Sequence, residues 1–317
     1  VRAQKAVGYA SAEAHSCNAR AFDMLGLGRD ALRAVPVDAD YRIDLAALQA
    51  AIERDRAEGL QPFVLIGTAG TVNTGALDDL AALADLAERE GLWFHVDGAF
   101  GACAMLSETH RSKLAGLSRA DSLAFDFHKW MQVNYDAGAV LIRSETAHRQ
   151  AFADRPDYLK STPEGLAAGA PWPVDYGPEL SRGFRALKVW AHLLEFGPDR
   201  LAGVIDANCR QAQALRDQVL RHPQLELMAP VSLNICCFRH LAPGWSAEAV
   251  DALNAQIVIA LQMSGVAAPS TTRLAGRTAI RVNLTHHRTR DTDLDIFLEA
   301  VLAEGANRIA AGPPPSG

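Results

Sequence analysis

Between residues 31 and 143, short apolar runs alternate with stretches of helical periodicity. That alternation restricts the chain to the α/β class, with a mainly parallel sheet and crossover helices. Asp44 stands where it can cap a helix whose apolar Leu45, Leu48 and Ile52 keep helical spacing, with Gly59 at its end. Residues 62–67 are almost uninterrupted in apolar character and predict a buried strand. Asp78 and Asp79 open the next helix, carried by Leu80, Leu83 and Ala87 and closed by Gly91. Residues 92–96 form the following strand, which ends at Asp97; residues 122–126 form another, with 138–143 expected beside it.

The pattern breaks at 154–179, where Pro156, Pro163, Pro171, Pro173 and Pro178 are scattered among glycines. A loop this long in a folded domain is expected to be a mobile lid or a disordered segment. Beyond it the spacing predicts helices over 184–196 and on to 221, strands at 225–228 and 234–239, and a helix at 246–263. A strand at 279–283 and a last helix at 291–303 complete a smaller α+β unit. The expected division is therefore 1–187 for a large domain and 188–317 for a small one, with a disordered tail from about 310. The chain opens at Val1 rather than Met, and no apolar core follows Arg2 and Lys5, so the natural N-terminus is expected upstream.

Charge excludes some functions. Lys and Arg number 31 against 37 Asp and Glu, a net charge of −6, without the basic surplus that gripping nucleic-acid phosphates requires. No apolar run reaches the roughly 18 residues of a membrane span. Five cysteines without CxxC spacing argue against a disulfide framework or a zinc site, and point to the reducing cytoplasm.

In open α/β sheets, ligands bind at the carboxyl ends of the strands. Here these ends carry Thr68 and Thr71, then Asp97, then His128 and Lys129. Singly, each has a plain explanation: Asp97 as a helix cap, Thr71 as turn chemistry, Lys129 as a solvated surface lysine. Gly26 to Ala31 formally satisfies GxGxxA but lacks the preceding strand that a dinucleotide site needs. Cys236 and Cys237 read as core filler, His286 and His287 as a turn, and Arg277, Arg281, Arg288 and Arg290 as a solvated face.

Taken in order, four segments say more: Ser11-Ala-Glu-Ala-His-Ser16, Gly70-Thr-Val-Asn-Thr-Gly75, His95-Val-Asp-Gly-Ala99 and Asp121-Ser-Leu-Ala-Phe-Asp-Phe-His-Lys-Trp130. With Pro156-Asp-Tyr-Leu159 and Leu180-Ser-Arg-Gly-Phe-Arg-Ala-Leu-Lys-Val-Trp190, the chain resembles the pyridoxal-phosphate-dependent group II amino-acid decarboxylases, the family of the aromatic-L-amino-acid decarboxylases. The resemblance implies a fold type I, PLP-dependent transferase-like large domain with a smaller C-terminal α+β domain. It also implies a cytoplasmic homodimer with its active site at the interface, and pyridoxal 5′-phosphate as cofactor.

By that resemblance Lys129 tethers the cofactor, and Asp97 pairs with the pyridine nitrogen, keeping it protonated so that the ring can accept electrons. His15 stacks on one ring face and Ala99 lies on the other, while His128, with Thr71 nearby, neighbours the phosphate. Tyr158 is the loop tyrosine that returns a proton. Asp126 stands where the family can have asparagine; a carboxylate there would repel phosphate unless it were protonated or turned away. Val72 replaces a usual threonine, Gly98 an alanine and Phe100 a tyrosine. The expected reaction is decarboxylation of an L-amino acid, aromatic by resemblance, to its amine. Glutamate, histidine and a diamino acid stay open as substrates, with Ser181 near the substrate side chain. Decarboxylation coupled to oxidative deamination, giving an aldehyde, is one alternative outcome, and a non-catalytic remnant of the fold is another. The family's phosphate-cradling Gly/Ser/Thr loop is expected in an upstream segment.

Overall fold

A computed structural model describes residues 5–153, 162–166, 168–169 and 172–313. The chain starts with strand β1 (Ala6–Ser11), helix α1 (Cys17–Met24) and strand β2 (Leu32–Val35), of which β1 carries too little apolar contrast to be predicted from periodicity. Helix α2 (Leu45–Ala57) begins where Asp44 caps it, the carboxylate accepting from the N–H groups of Ala46 and Ala47. Strand β3 (Gln61–Thr68) leads to helix α3 (Leu80–Glu90), capped by Asp79 alone and ended by Gly91 in the left-handed region. Strands β4 (Trp93–Asp97), β5 (Ser122–Asp126) and β6 (Gly138–Ile142) follow. The six strands lie in the order β2-β1-β3-β4-β5-β6, parallel except for β6, which runs antiparallel to β5.

The two faces of this sheet differ. Leu65, Phe94 and Val96 pack with Leu48 and Ile52 of α2 and Leu80 and Leu83 of α3 in the main core. On the other face α1 covers Val64 and Ile66 through Phe22. Trp93 and Val140, placed on that second face by strand alternation, stay 37% and 50% exposed.

Helix α4 (Glu145–Phe152) precedes the proline-rich stretch, of which residues 154–161, 167, 170 and 171 lie outside the described residues. The end of the expected lid is tied down: Asp175 is buried and the Tyr176 hydroxyl donates to Glu145 at 2.8 Å. Helix α5 (Arg185–Arg221) joins the two predicted helices across a break at Gly197, whose φ of 69° lets Pro198 start the second half. That half serves two cores, giving Leu201, Ile205 and Cys209 to the first and Ala212, Leu215 and Val219 to the second.

Strands β7 (Leu225–Leu227) and β8 (Ile235–His240), helix α6 (Ala247–Ser264), strands β9 (Ser270–Leu274) and β10 (Arg277–Asn283), and helix α7 (Asp291–Ala311) make the second unit. Its antiparallel sheet runs β7-β8-β10-β9. Helix α7 runs to Ala311, and residues 314–317, which hold most of the tail expected from about 310, lie outside the described residues.

The small sheet grips the turn at residues 70–75. Arg281 Nε donates to the Val72 carbonyl at 2.7 Å, the Cys237 thiol to the Asn73 carbonyl at 3.1 Å, and the Thr272 hydroxyl to Asn73 Oδ1 at 2.7 Å.

Candidate active site

Parallel register brings the strand ends side by side, with Thr68 of β3 opposite Asp97 of β4, and Asp97 opposite Ala124 of β5. Asp97 caps no helix. Its Oδ2 accepts from Asn18 Nδ2 of α1 at 3.2 Å and its Oδ1 from the Ala99 N–H at 3.2 Å. The residue is 8% exposed, and among the described residues it makes no ion pair. A buried carboxylate without a cation has room in its energetics for a positively charged ligand group. Beside it the Thr68 hydroxyl is also buried without a partner.

The segment after β5 is held from below. Trp130 is buried, donates to Asn208 Oδ1 at 3.0 Å and stacks on Phe100 with ring centres 4.8 Å apart. This anchor leaves Lys129 at the lip of the site, where its Nζ lies 2.7 Å from Asp126 Oδ2. His128 Nδ1 accepts from the Ala137 N–H at 3.0 Å, and its ring lies 4.3 Å from that of Tyr135. Cys17 sits within the field of both key groups: burial and the Asp97 charge push its thiol up, and Lys129 opposes them.

His15, Thr71, His128 and Lys129 line one cleft of about 440 Å³, a size that suits a small ligand. His15 is exposed, its Nδ1 accepting from the Cys17 N–H at 3.2 Å. Ala99 is half-buried, and its carbonyl accepts from the Asp126 N–H. The Thr71 hydroxyl pairs with that of Thr74 at 2.9 Å and accepts from the Ala76 N–H, so it closes the turn. Asp126 is directed at Lys129 rather than held free to face an anion.

Three residues enlarge the predicted set. Arg281, Asn283 and Thr285 bring the small unit to the cleft. Arg281 therefore belongs to no solvated face: it is half-buried, among the described residues it bonds the neutral oxygens of Val72 and Ser270, and burial pushes its guanidinium below the ordinary range. Gly98 also has a physical reason, since a Cβ there would come within 2.6 Å of Ala102 Cβ and 2.9 Å of Leu123 Cδ1. Ser181 is exposed and does not line the cleft, and Tyr158 lies outside the described residues. A larger hollow of about 970 Å³, lined by Phe127, Arg182, Phe184 and Trp190, contains none of His15, Thr71, His128 and Lys129, and Asp97 lines neither space. The chemistry therefore selects the smaller cleft.

A buried carboxylate without an ion pair among the described residues and an amine at the lip of a cleft of about 440 Å³ suit a cationic heterocycle that carries an aldehyde. The profile of the pyridoxal-dependent decarboxylase conserved domain matches residues 2–241. The aromatic-L-amino-acid decarboxylase of Bacillus atrophaeus is 35% identical over 292 residues, covering 92% of this chain and 61% of its own length. The L-2,4-diaminobutyrate decarboxylase of Rhizobium meliloti (strain 1021) is 33% identical over 291 residues, covering 92% of this chain and 58% of its own length. The chain thus spans about three fifths of these curated relatives. The crystal structure of Oryza sativa TDC with PLP and tryptamine superposes with a TM-score of 0.88 at 25% identity, covering 96% of this chain and 64% of that one.

Proposed function

The chain belongs to the pyridoxal-dependent decarboxylase family, and from that premise we propose that it removes the α-carboxylate of an aromatic L-amino acid as CO2. The observation that carries the proposal is the buried Asp97 carboxylate, without an ion pair among the described residues, whose charge acts on Cys17 together with that of Lys129, which lines the cleft. When bound, pyridoxal phosphate supplies an electron sink for the pair left behind as the carboxylate departs.

The chain's own residues do the rest. Asp97 holds a proton on the ring nitrogen, and Asn18 fixes the carboxylate that does so. Lys129 would tether the cofactor, His15 and Ala99 would flank its ring, and His128 and Thr71 would serve its phosphate. Tyr158 returns the proton to the substrate carbon. Arg281 faces the cleft without an acidic partner among the described residues and orients a substrate carboxylate; its charge opposes a cationic side chain, which favours an aromatic substrate over a diamino acid.

The reading includes a large domain over 1–187 and a small one over 188–317, and a homodimer with the site at its interface. All five cysteines are free, as suits the cytoplasm. Among the described residues no helix is long and apolar enough to cross a membrane.

Borohydride reduction of the full-length, cofactor-loaded protein tests the core of the proposal. A phosphopyridoxyl mass adduct is expected on Lys129, with none in Lys129→Ala. An adduct on another lysine would overturn the assignment. A screen of CO2 release over the amino acids, with aldehyde, ammonia and peroxide followed alongside, then fixes substrate and outcome. Release from diaminobutyrate alone would reject the aromatic reading.

A further inference from the structure

Lys129 does not wait free in this site. Its ammonium lies 2.7 Å from Asp126 Oδ2, and three features of the fold place that carboxylate there. Asp126 is opposite Gly138 in the β5–β6 register, and a Cβ on Gly138 would sit 3.0 Å from Asp126 Oδ1, so the bare glycine leaves the room. The Asp126 N–H is fixed by the Ala99 carbonyl at 3.2 Å. His128 accepts at Nδ1 from Ala137, which leaves the Nε2 proton facing Asp126 at 3.9 Å.

We propose that Asp126 is a positioning residue that parks Lys129 as an ion pair and so slows covalent capture of the cofactor. This rests on the reading of Lys129 as the tether. Capture joins Nζ to the aldehyde carbon. One proton must first leave the ammonium to free its electron pair; the two remaining hydrogens then depart with the aldehyde oxygen as water. While Asp126 holds the ammonium, that electron pair is engaged. The carboxylate also places a negative charge beside the approach path of a phosphate-bearing ligand, which adds to the delay.

The other groups around the pair do not replace Asp126. Cys103 stays a thiol, since burial and then Asp126 push it up to about 12. His15, His128, Tyr135 and Arg281 share the cleft, and the charges of Asp97 and Lys129 both reach Cys17 of α1. Of these only Asp97 is acidic, and it is held by Asn18 and Ala99. The pair is partly exposed, with Lys129 at 39% and Asp126 at 22%, so its effect is modest.

The test begins without cofactor. Full-length apoprotein is reductively methylated with formaldehyde, and the modification of Lys129 relative to exposed Lys5 is read by peptide mass spectrometry. Asp126→Asn should raise that ratio about threefold to fivefold, the range a partly exposed ion pair supports, and Asp126→Ala should do the same. Added salt should raise the ratio in the wild type and leave both variants unchanged. On mixing with pyridoxal phosphate, visible absorbance should grow faster in the variants by a similar factor. An unchanged or lower ratio, with normal growth of absorbance, would overturn this inference alone. A raised ratio with no absorbance in any form would support the parking contact and overturn the tether reading instead.

Discussion

Asp78 lies behind the strand ends, where its two oxygens accept from the backbone N–H groups of Ile43 and Thr68 at 2.8 Å each. Those bonds favour the carboxylate, but burial outweighs them and raises the group to about 6. In the unfolded chain an aspartate titrates near 3.9. The folded state therefore binds the extra proton, so the contribution is present at low pH and fades as pH rises from about 4 through about 6. The stability of Asp78→Asn relative to wild type should shift in the variant's favour by about 2 kcal/mol between pH 4.5 and 7. Urea unfolding at both values checks this, and a shift of opposite sign would show that the hydrogen bonds dominate. At this scale the sequence was partly legible. Asp97 and Lys129 stand at strand ends, where the alternation pattern led. Arg281 was not readable: strand alternation turns it away from its own core of Ile280 and Val282, and nothing in the sequence says that this outward side meets the other unit.

Elements were legible where capping chemistry marks them. Asp44, Asp79 and Gly91 stand at the ends their helices adopt. Strand β9, Ser270-Thr-Thr-Arg-Leu274, escaped because an exposed edge strand needs no apolar alternation, and β1 because glycine and alanine give it little. The break in α5 is the element most open to test. A Cβ at Gly197 would meet nothing within 4 Å, so the cost of Gly197→Ala is purely that of a left-handed backbone. We expect a loss of about 1–2 kcal/mol in urea unfolding, with cofactor capture unchanged. A neutral result would mean that the two halves of the helix can straighten without disturbing the cores they join.

At the scale of the whole molecule, two sheets meet around one cleft, and the turn at 70–75 is a point of contact they share. The large sheet is lined on one side by α2 and α3, while Trp93 and Val140 face outward on the other. A predominantly parallel sheet ordinarily has both faces covered. Produced by itself, this span should therefore be adhesive. Light scattering should show it self-associating as concentration or sulfate rises, and the double substitution Trp93→Gln, Val140→Thr should suppress that clumping, with a small drop in melting temperature because the Trp93 indole N–H also donates to the Ser122 hydroxyl. Trp93 would also act as a built-in optical reporter: its emission should shift to the blue when any surface settles over that flank.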